Sequence, residues 1–294
     1  MNKLTTSKVA EQKQFNNKII DLGEKMSIES KVNIVGSANI KRNIYYSDYD
    51  LFEKVNNKSP QLIYNHFRSL FEVIKSSDNS VITDFKMGKI GNEPLRWDYD
   101  DIMKKENRGV SFNDALKMES IIKMDIITYM NGRFIEITEV YSICFNGKCN
   151  QKYTVDEVIK SITDEYREMI YEGNYLKSLK KLFSILKLKK TDEATKKLLL
   201  NYFNSPIGLL YRCKSDLESI ELILNYNKFN IDTIRNSLQQ LKELVSAFPV
   251  ENNLEKISKI KTKEDMRQPL RKQINMLKKH INMDAQKFIS VNNI

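Results

Sequence analysis

The periodicity of apolar side chains changes once along this chain, near residues 146–150, and that change limits the fold more than any other feature. Before it, apolar and polar residues alternate in runs that read as strands with one covered face. These runs are Lys31 to Val35, Tyr46 to Leu51, Ser80 to Met87, Ser120 to Tyr129 and Arg133 to Ile143, with Asn131-Gly132 as a strong hairpin signal between the last two. After it, apolar residues fall at helical spacing: Val158, Ile159, Ile162 and Tyr166, then Leu176, Leu179, Leu182, Phe183 and Leu186, and onward through Leu238, Leu241 and Leu244. The expectation is an α+β chain. A mixed sheet flanked by helices occupies residues 1–150, an all-helical domain occupies 151–294, and the two touch across a cleft that holds the site.

Two helices are expected in the first half. Lys8 to Met26 carries a loose stripe of Val9, Phe15, Ile19, Ile20 and Leu22. Ser59 followed by Pro60 is a cap-and-start signal, and Leu62, Ile63, Phe67, Leu70, Phe71 and Ile74 then form one apolar face. The acidic run Trp97-Asp98-Tyr99-Asp100-Asp101 reads as a solvated loop or a helix start. In the second half, Asn204-Ser205-Pro206-Ile207-Gly208 interrupts the helices.

A net charge of +10 and a pI near 9.2 attract polyanions such as RNA, DNA, nucleotides or an anionic membrane surface. Lys outnumbers Arg and both Asn and Ile are abundant, as in products of AT-rich genomes. Cys144, Cys149 and Cys213 are odd in number and lack zinc-type spacing, so they are expected as reduced thiols in a cytoplasmic protein. With only His66 and His280, a His-based zinc site or Ser-His-Asp centre is hard to build. No apolar run approaches the roughly 18 residues of a membrane span, and the polar stretch from Met1 to Gln12 lacks the core of a secretory signal.

Chemistry concentrates at Val35-Gly36-Ser37, followed after ten residues by Asp48-Tyr49-Asp50-Leu51. On a strand, Asp48 and Asp50 project from one face, about 6.5 Å apart along the chain. Like charges held this way repel, and a hard divalent cation removes the conflict while leaving positions for water and phosphate oxygens. Gly36 permits close backbone approach to a phosphate, and the Ser37 hydroxyl can donate to it.

That stretch resembles the signature of the DNA polymerase beta-like nucleotidyltransferase superfamily, in which Gly-Ser precedes two carboxylates alternating with apolar residues. The resemblance implies a third carboxylate on a later strand. Met124-Asp125-Ile126 fits it, with Asp84, Glu136 and Glu139 as alternatives. It further implies that Asp48, Asp50 and Asp125 hold two Mg²⁺ or Mn²⁺ ions about 3.5–4 Å apart, while Gly36, Ser37 and a Lys from the second domain hold the triphosphate. Tyr175 to Phe183 looks like the helix that supplies this Lys. Leu176, Leu179 and Phe183 are expected on its buried side and Lys177, Lys180 and Lys181 outside, with Lys177 or Lys181 as the contact.

Lys41 and Arg42, between the signature halves, and Lys259, Lys263, Arg267 and Arg271, in the basic stretch Lys256 to Lys279, are candidate RNA contacts. The layout is most similar to that of a compact poly(A) polymerase of the large-DNA-virus type. The implied function is template-independent addition of nucleotides, AMP from ATP foremost, to a single-stranded RNA 3′ end, without membrane partners. The chain would work in the cytoplasm, or in host cytoplasm or virion for a viral protein, alone, as a homodimer or with a partner subunit. Two alternatives belong to other classes: a primer-independent cyclic or oligonucleotide messenger synthase, and a catalytically silent RNA-binding subunit.

Overall fold

The computed structural model describes residues 2–36, 48–88, 95–118, 121–145 and 154–294, with side chains for all but 2–12 and 118. These residues form two compact units. A sheet unit holds the described residues up to 145 together with Asn225–Phe229, and a helical unit holds 154–224 and Asn230–Ile294.

The sheet unit runs α1 (Asn2–Met26), β1 (Asn33–Val35), β2 (Asp48–Asn56), α2 (Pro60–Ser76), β3 (Ser80–Gly88), β4 (Leu95–Arg96), α3 (Tyr99–Lys104), β5 (Glu106–Asn107), β6 (Val110–Ser111), α4 (Phe112–Met118), β7 (Ile121–Met130) and β8 (Arg133–Cys144). β5 and β6 pair with each other, and the other six strands form a sheet in the order β1-β2-β8-β7-β3-β4. Among the described strands of this sheet β2 and β8 are parallel neighbours, and the remaining pairs are antiparallel. The β7–β8 hairpin turns at Asn131 (φ 53°) and Gly132 (φ 80°), the two positive angles a two-residue turn of this kind needs.

Helix α2 starts where its cap predicts, with Ser59 Oγ accepting the Leu62 N–H at 3.2 Å. Its buried face carries Ile63, Phe67, Leu70, Phe71 and Ile74 as expected, but Leu62 is 48% exposed and Tyr64 is buried in its place. The acidic run resolves as a helix start, because Asp98 and Asp101 form a reciprocal cap on α3. Strand β2 runs on past Leu51 to Asn56, with Leu51, Glu53 and Val55 all fully buried. A charged residue at an interior position hides this extension from the alternation pattern. Glu53 is tolerated there because its carboxylate accepts the N–H groups of Ile28 at 2.9 Å and Glu29 at 2.5 Å. Across β2 lies α1, where a Cβ on Gly23 would come within 2.6 Å of Leu51 Cδ1.

The helical unit contains α5 (Val155–Tyr171), α6 (Tyr175–Lys189), α7 (Glu193–Phe203), α8 (Pro206–Ile223), α9 (Ile231–Val245), α10 (Leu254–Ser258) and α11 (Lys263–Asn292). The expected break falls between α7 and α8. Helix α11 buries Met266, Leu270, Ile274, Leu277, Ile281 and Ala285, so the basic stretch lies on a helix that also builds core.

One expectation fails among the cysteines. Cys213 is a buried thiol outside any disulfide, whereas Cys144 is disulfide-bonded. Cys144 ends β8, where the chain leaves the sheet, and its partner lies outside the described residues. Among the described residues no helix is long and apolar enough to cross a membrane.

Candidate functional site

Strand register assembles the site. Asp50 on β2 sits beside Thr138 on β8, Thr138 sits beside Asp125 on β7, and Asp125 sits beside Asp84 on β3. Directly paired residues point to the same side of a sheet. Asp50, Thr138, Asp125 and Asp84 therefore form one row, on the face away from the α2 core, while Tyr49, Leu51, Met124, Ile126 and Phe85 point inward and are buried. Asp48 lies on the same face as Asp50, beside Glu136. With one strand between them, Asp50 and Asp125 stand about 10 Å apart at Cα.

Gly36, immediately after β1, meets this row from the other side. Its φ is +63°, and a Cβ placed on it would lie 2.1 Å from Asp50 Oδ2. Both the backbone angle and the space demand glycine. The bare backbone thus packs against one carboxylate of the alternating pair.

Asp125 is held from three directions. Thr138 Oγ1 donates to Asp125 Oδ1 at 2.8 Å, the Lys123 ammonium lies 3.4 Å from the same oxygen, and Thr83 Oγ1 donates to the Asp125 carbonyl at 3.2 Å. The last contact sits at a register shift between Ile82 and Asp84. Asp84 pairs with Lys86 at 2.5 Å. Glu139 is removed from the list of third carboxylates, because it pairs with Leu51 and Met124 and points into the core. Burial, with Glu53 nearby, pushes its carboxyl up to about 8. Glu136 keeps its place on the site face.

Among the described residues no three of His, Cys, Asp and Glu converge on one point. Of the carboxylates on this face, Asp48 and Asp50 alternate on one strand and are the hard oxygen ligands that a Mg²⁺-like cation takes when substrate phosphates complete its shell. Ser37, Lys41 and Arg42 lie outside the described residues.

The helical unit presents its candidates individually. Helix α6 buries Leu176, Leu179 and Phe183 as expected, Lys177 is exposed, and Lys181 pairs with Glu165 of α5. Lys180 lies over the Tyr211 ring, 4.1 Å from its centroid. Lys259 bonds Glu255 at 2.8 Å, Arg271 bonds Glu221, and Lys263 and Arg267 are half-buried.

Several residues at or near the row carry no local signal. Thr138 and Lys123 become relevant only through pairing. The segment Asn225–Phe229, which the helical stripes assign to the second domain, joins the sheet unit: Phe229 packs edge-on against Phe134 with centroids 5.1 Å apart, and Lys228 donates to the Ile74 carbonyl. Tyr226 and Asp84 line a cleft of 640 Å³ at the β3 edge, with Trp97, Tyr99 and Arg96. Burial and the neighbouring Asp84 raise the Tyr226 hydroxyl pKa.

This architecture has solved counterparts. A Megaviridae nucleotidyl transferase encoded by an ORFan gene matches with a TM-score of 0.72 and 14% identity, over 91% of this chain and 87% of that one. An M. chilensis protein crystallised with GTP matches with a TM-score of 0.71 and 14% identity, over 91% of this chain and 90% of that one. The α+β fold, a six-stranded mixed sheet with flanking helices and a helical region, is the nucleotidyltransferase fold. In sequence, an uncharacterized protein of Sputnik virophage is 24% identical over 247 residues, 74% of this chain and 55% of that protein. The chain spans about half the length of this curated relative. No family model matches the chain.

Proposed function

We propose that this chain is a template-independent nucleotidyltransferase that adds nucleotides, with AMP from ATP as the first substrate to test, to a single-stranded RNA 3′ end. The observation that carries the reading is the Gly36 backbone packed against the Asp50 carboxylate, with Asp48 on the same strand face. A side chain at position 36 would collide with the Asp50 carboxylate, one of the two groups offered to the metal. A protein of the same fold that was crystallised with GTP supports a nucleoside triphosphate as substrate class.

Asp48 and Asp50 would hold Mg²⁺ or Mn²⁺, two ions when Asp125 contributes. When bound, such ions supply Lewis-acid activation of the acceptor hydroxyl and charge neutralisation of the triphosphate. The chain's own residues do the positioning. Thr138 and Lys123 fix the Asp125 carboxylate in the row, where it is the group that would take the acceptor proton. Of the two lysines the resemblance nominates for a triphosphate, Lys177 is exposed on α6, while Lys181 shares its charge with Glu165. The +10 surplus suits a polyanionic acceptor better than a small neutral one.

The test is incubation of the full chain with each labelled NTP and Mg²⁺, with and without a short single-stranded RNA, beside an Asp48→Ala/Asp50→Ala variant. Primer extension that disappears in the variant is the expected result, and it names the nucleotide. Small products formed without a primer would replace this reading with a messenger synthase. Silence in every lane would leave the RNA-binding subunit.

A further inference from the structure

The helical unit contains a cleft of 450 Å³ where α10 and the following turn meet the first half of α11. Ile260 and Pro269, both half-buried, give it apolar lining over the buried Ile257, and the side chains of Asn253 and Gln268 add amide groups. Lys256 from α10 and Lys272 from α11 also line it. Both lysines are exposed, and neither has an ion-pair partner among the described residues. The acid next along the chain does not compensate them. Glu255 already bonds Lys259 at 2.8 Å and Lys242 at 2.9 Å, and those two ammonium groups hold its carboxyl down to about 2.

Two uncompensated cations call for an anion, which excludes a metal ion here. A free phosphate has no use for the apolar lining or the amides. One unit of a single-stranded polynucleotide presents all the complementary parts: a phosphate for the ammonium groups, a flat apolar face for the proline ring and Ile260, and base edges for the amides. A duplex keeps its base faces stacked inside and offers only phosphates.

We propose that this cleft seats a nucleotide unit of single-stranded RNA, with backbone phosphate at Lys256 and Lys272 and the sugar or base against Ile260 and Pro269; the inference rests on the RNA-acceptor reading above and adds a docking point to it. Both lysines belong to the basic stretch Lys256 to Lys279 that the sequence offers to a phosphate backbone, and the cleft singles them out from the rest. Of those, Lys259 and Arg271 are engaged by Glu255 and Glu221.

The experiment measures binding of a labelled single-stranded RNA of about 12 nucleotides to the full chain by fluorescence anisotropy, without NTP or metal, across salt from about 50 to 200 mM. Lys256→Ala/Lys272→Ala should lower the slope of log affinity against log salt by about 0.7, the value for the one single-strand phosphate that the two lysines share. Affinity should fall about tenfold at the low-salt end. Lys256→Arg/Lys272→Arg should keep the slope, and Lys259→Ala should leave it nearly unchanged. An unchanged slope in the double alanine variant would overturn the proposal, as would equal binding and equal loss with duplex RNA or with single-stranded DNA. Binding is read without NTP or metal, so the slope stands or falls whichever way the extension assay goes, which separates failure of this inference from failure of the transferase reading.

Discussion

Replacing Glu139 by Gln tests the least expected part of the interior. Glu139 points from β8 into the core, fully buried, beside Glu53 and Tyr141. Burial raises its carboxyl from 4.5 to about 8. Between those values the folded chain keeps a proton that the unfolded chain has released, so stability falls as pH rises, by about 1.4 kcal/mol per pH unit for one such group. Below about 4.5 both states are protonated and the full stability is present; above about 8 both are ionised and the curve levels. From pH 6 to 8 the loss is about 2–3 kcal/mol. Glu53, raised by the same burial, adds a slope of the same sign. Glu139→Gln keeps the shape and removes the titration, so its profile should be flatter by about 1 kcal/mol per pH unit across that window. Urea unfolding between about pH 5.5 and 8.5 measures it. The reporter is Trp97, the chain's single tryptophan, which is buried in the sheet unit. Parallel profiles for parent and variant would refute the reasoning.

Gly36→Ala places a methyl where φ is +63° and Asp50 Oδ2 is 2.1 Å away. It should cost about 1–2 kcal/mol of stability in a melt and abolish any Mg²⁺-dependent thermal shift by nucleotide; a retained shift would mean that Asp50 does not need its present orientation. Thr138→Val removes the 2.8 Å donor to Asp125. It should lower transfer about tenfold to a hundredfold with about 1 kcal/mol lost in stability, and an unchanged turnover would show that Asp125 stands outside the reaction. Ser59→Ala deletes the α2 cap. Denaturation should shift by about 1 kcal/mol while nucleotide binding stays as in the parent.

Much of the fold was legible because the signals were local. The Ser59-Pro60 start, the Asn131-Gly132 turn and the Ser205-Pro206 restart are short-range chemistry, and each appears where the chain order puts it. Legibility stopped where a polar group is buried. Glu53 disguised the second half of β2, and Glu139 passed for a site carboxylate because alternation shows that residues share a face without showing which face is solvated. Leu62 and Tyr64 exchanged roles on α2 for a similar reason, since a helical stripe has edges that only packing resolves. Cys144 escaped because pairing of thiols follows from distance in space. Tyr226 and Phe229 escaped because a five-residue segment from the helical half belongs to the sheet unit.

The sequence by itself determined the element types, their order and the pair Asp48 and Asp50 on one strand face, since backbone period and turn chemistry act over a few residues. Tertiary structure decided the rest of the row. β8 enters between β2 and β7, sets Thr138 between Asp50 and Asp125, and sends Glu139 inward. It also decided which tail cations remain uncompensated, because Glu221 reaches Arg271 from a separate helix. Register and ion pairing join residues far apart in the chain, and only the folded packing brings them within reach.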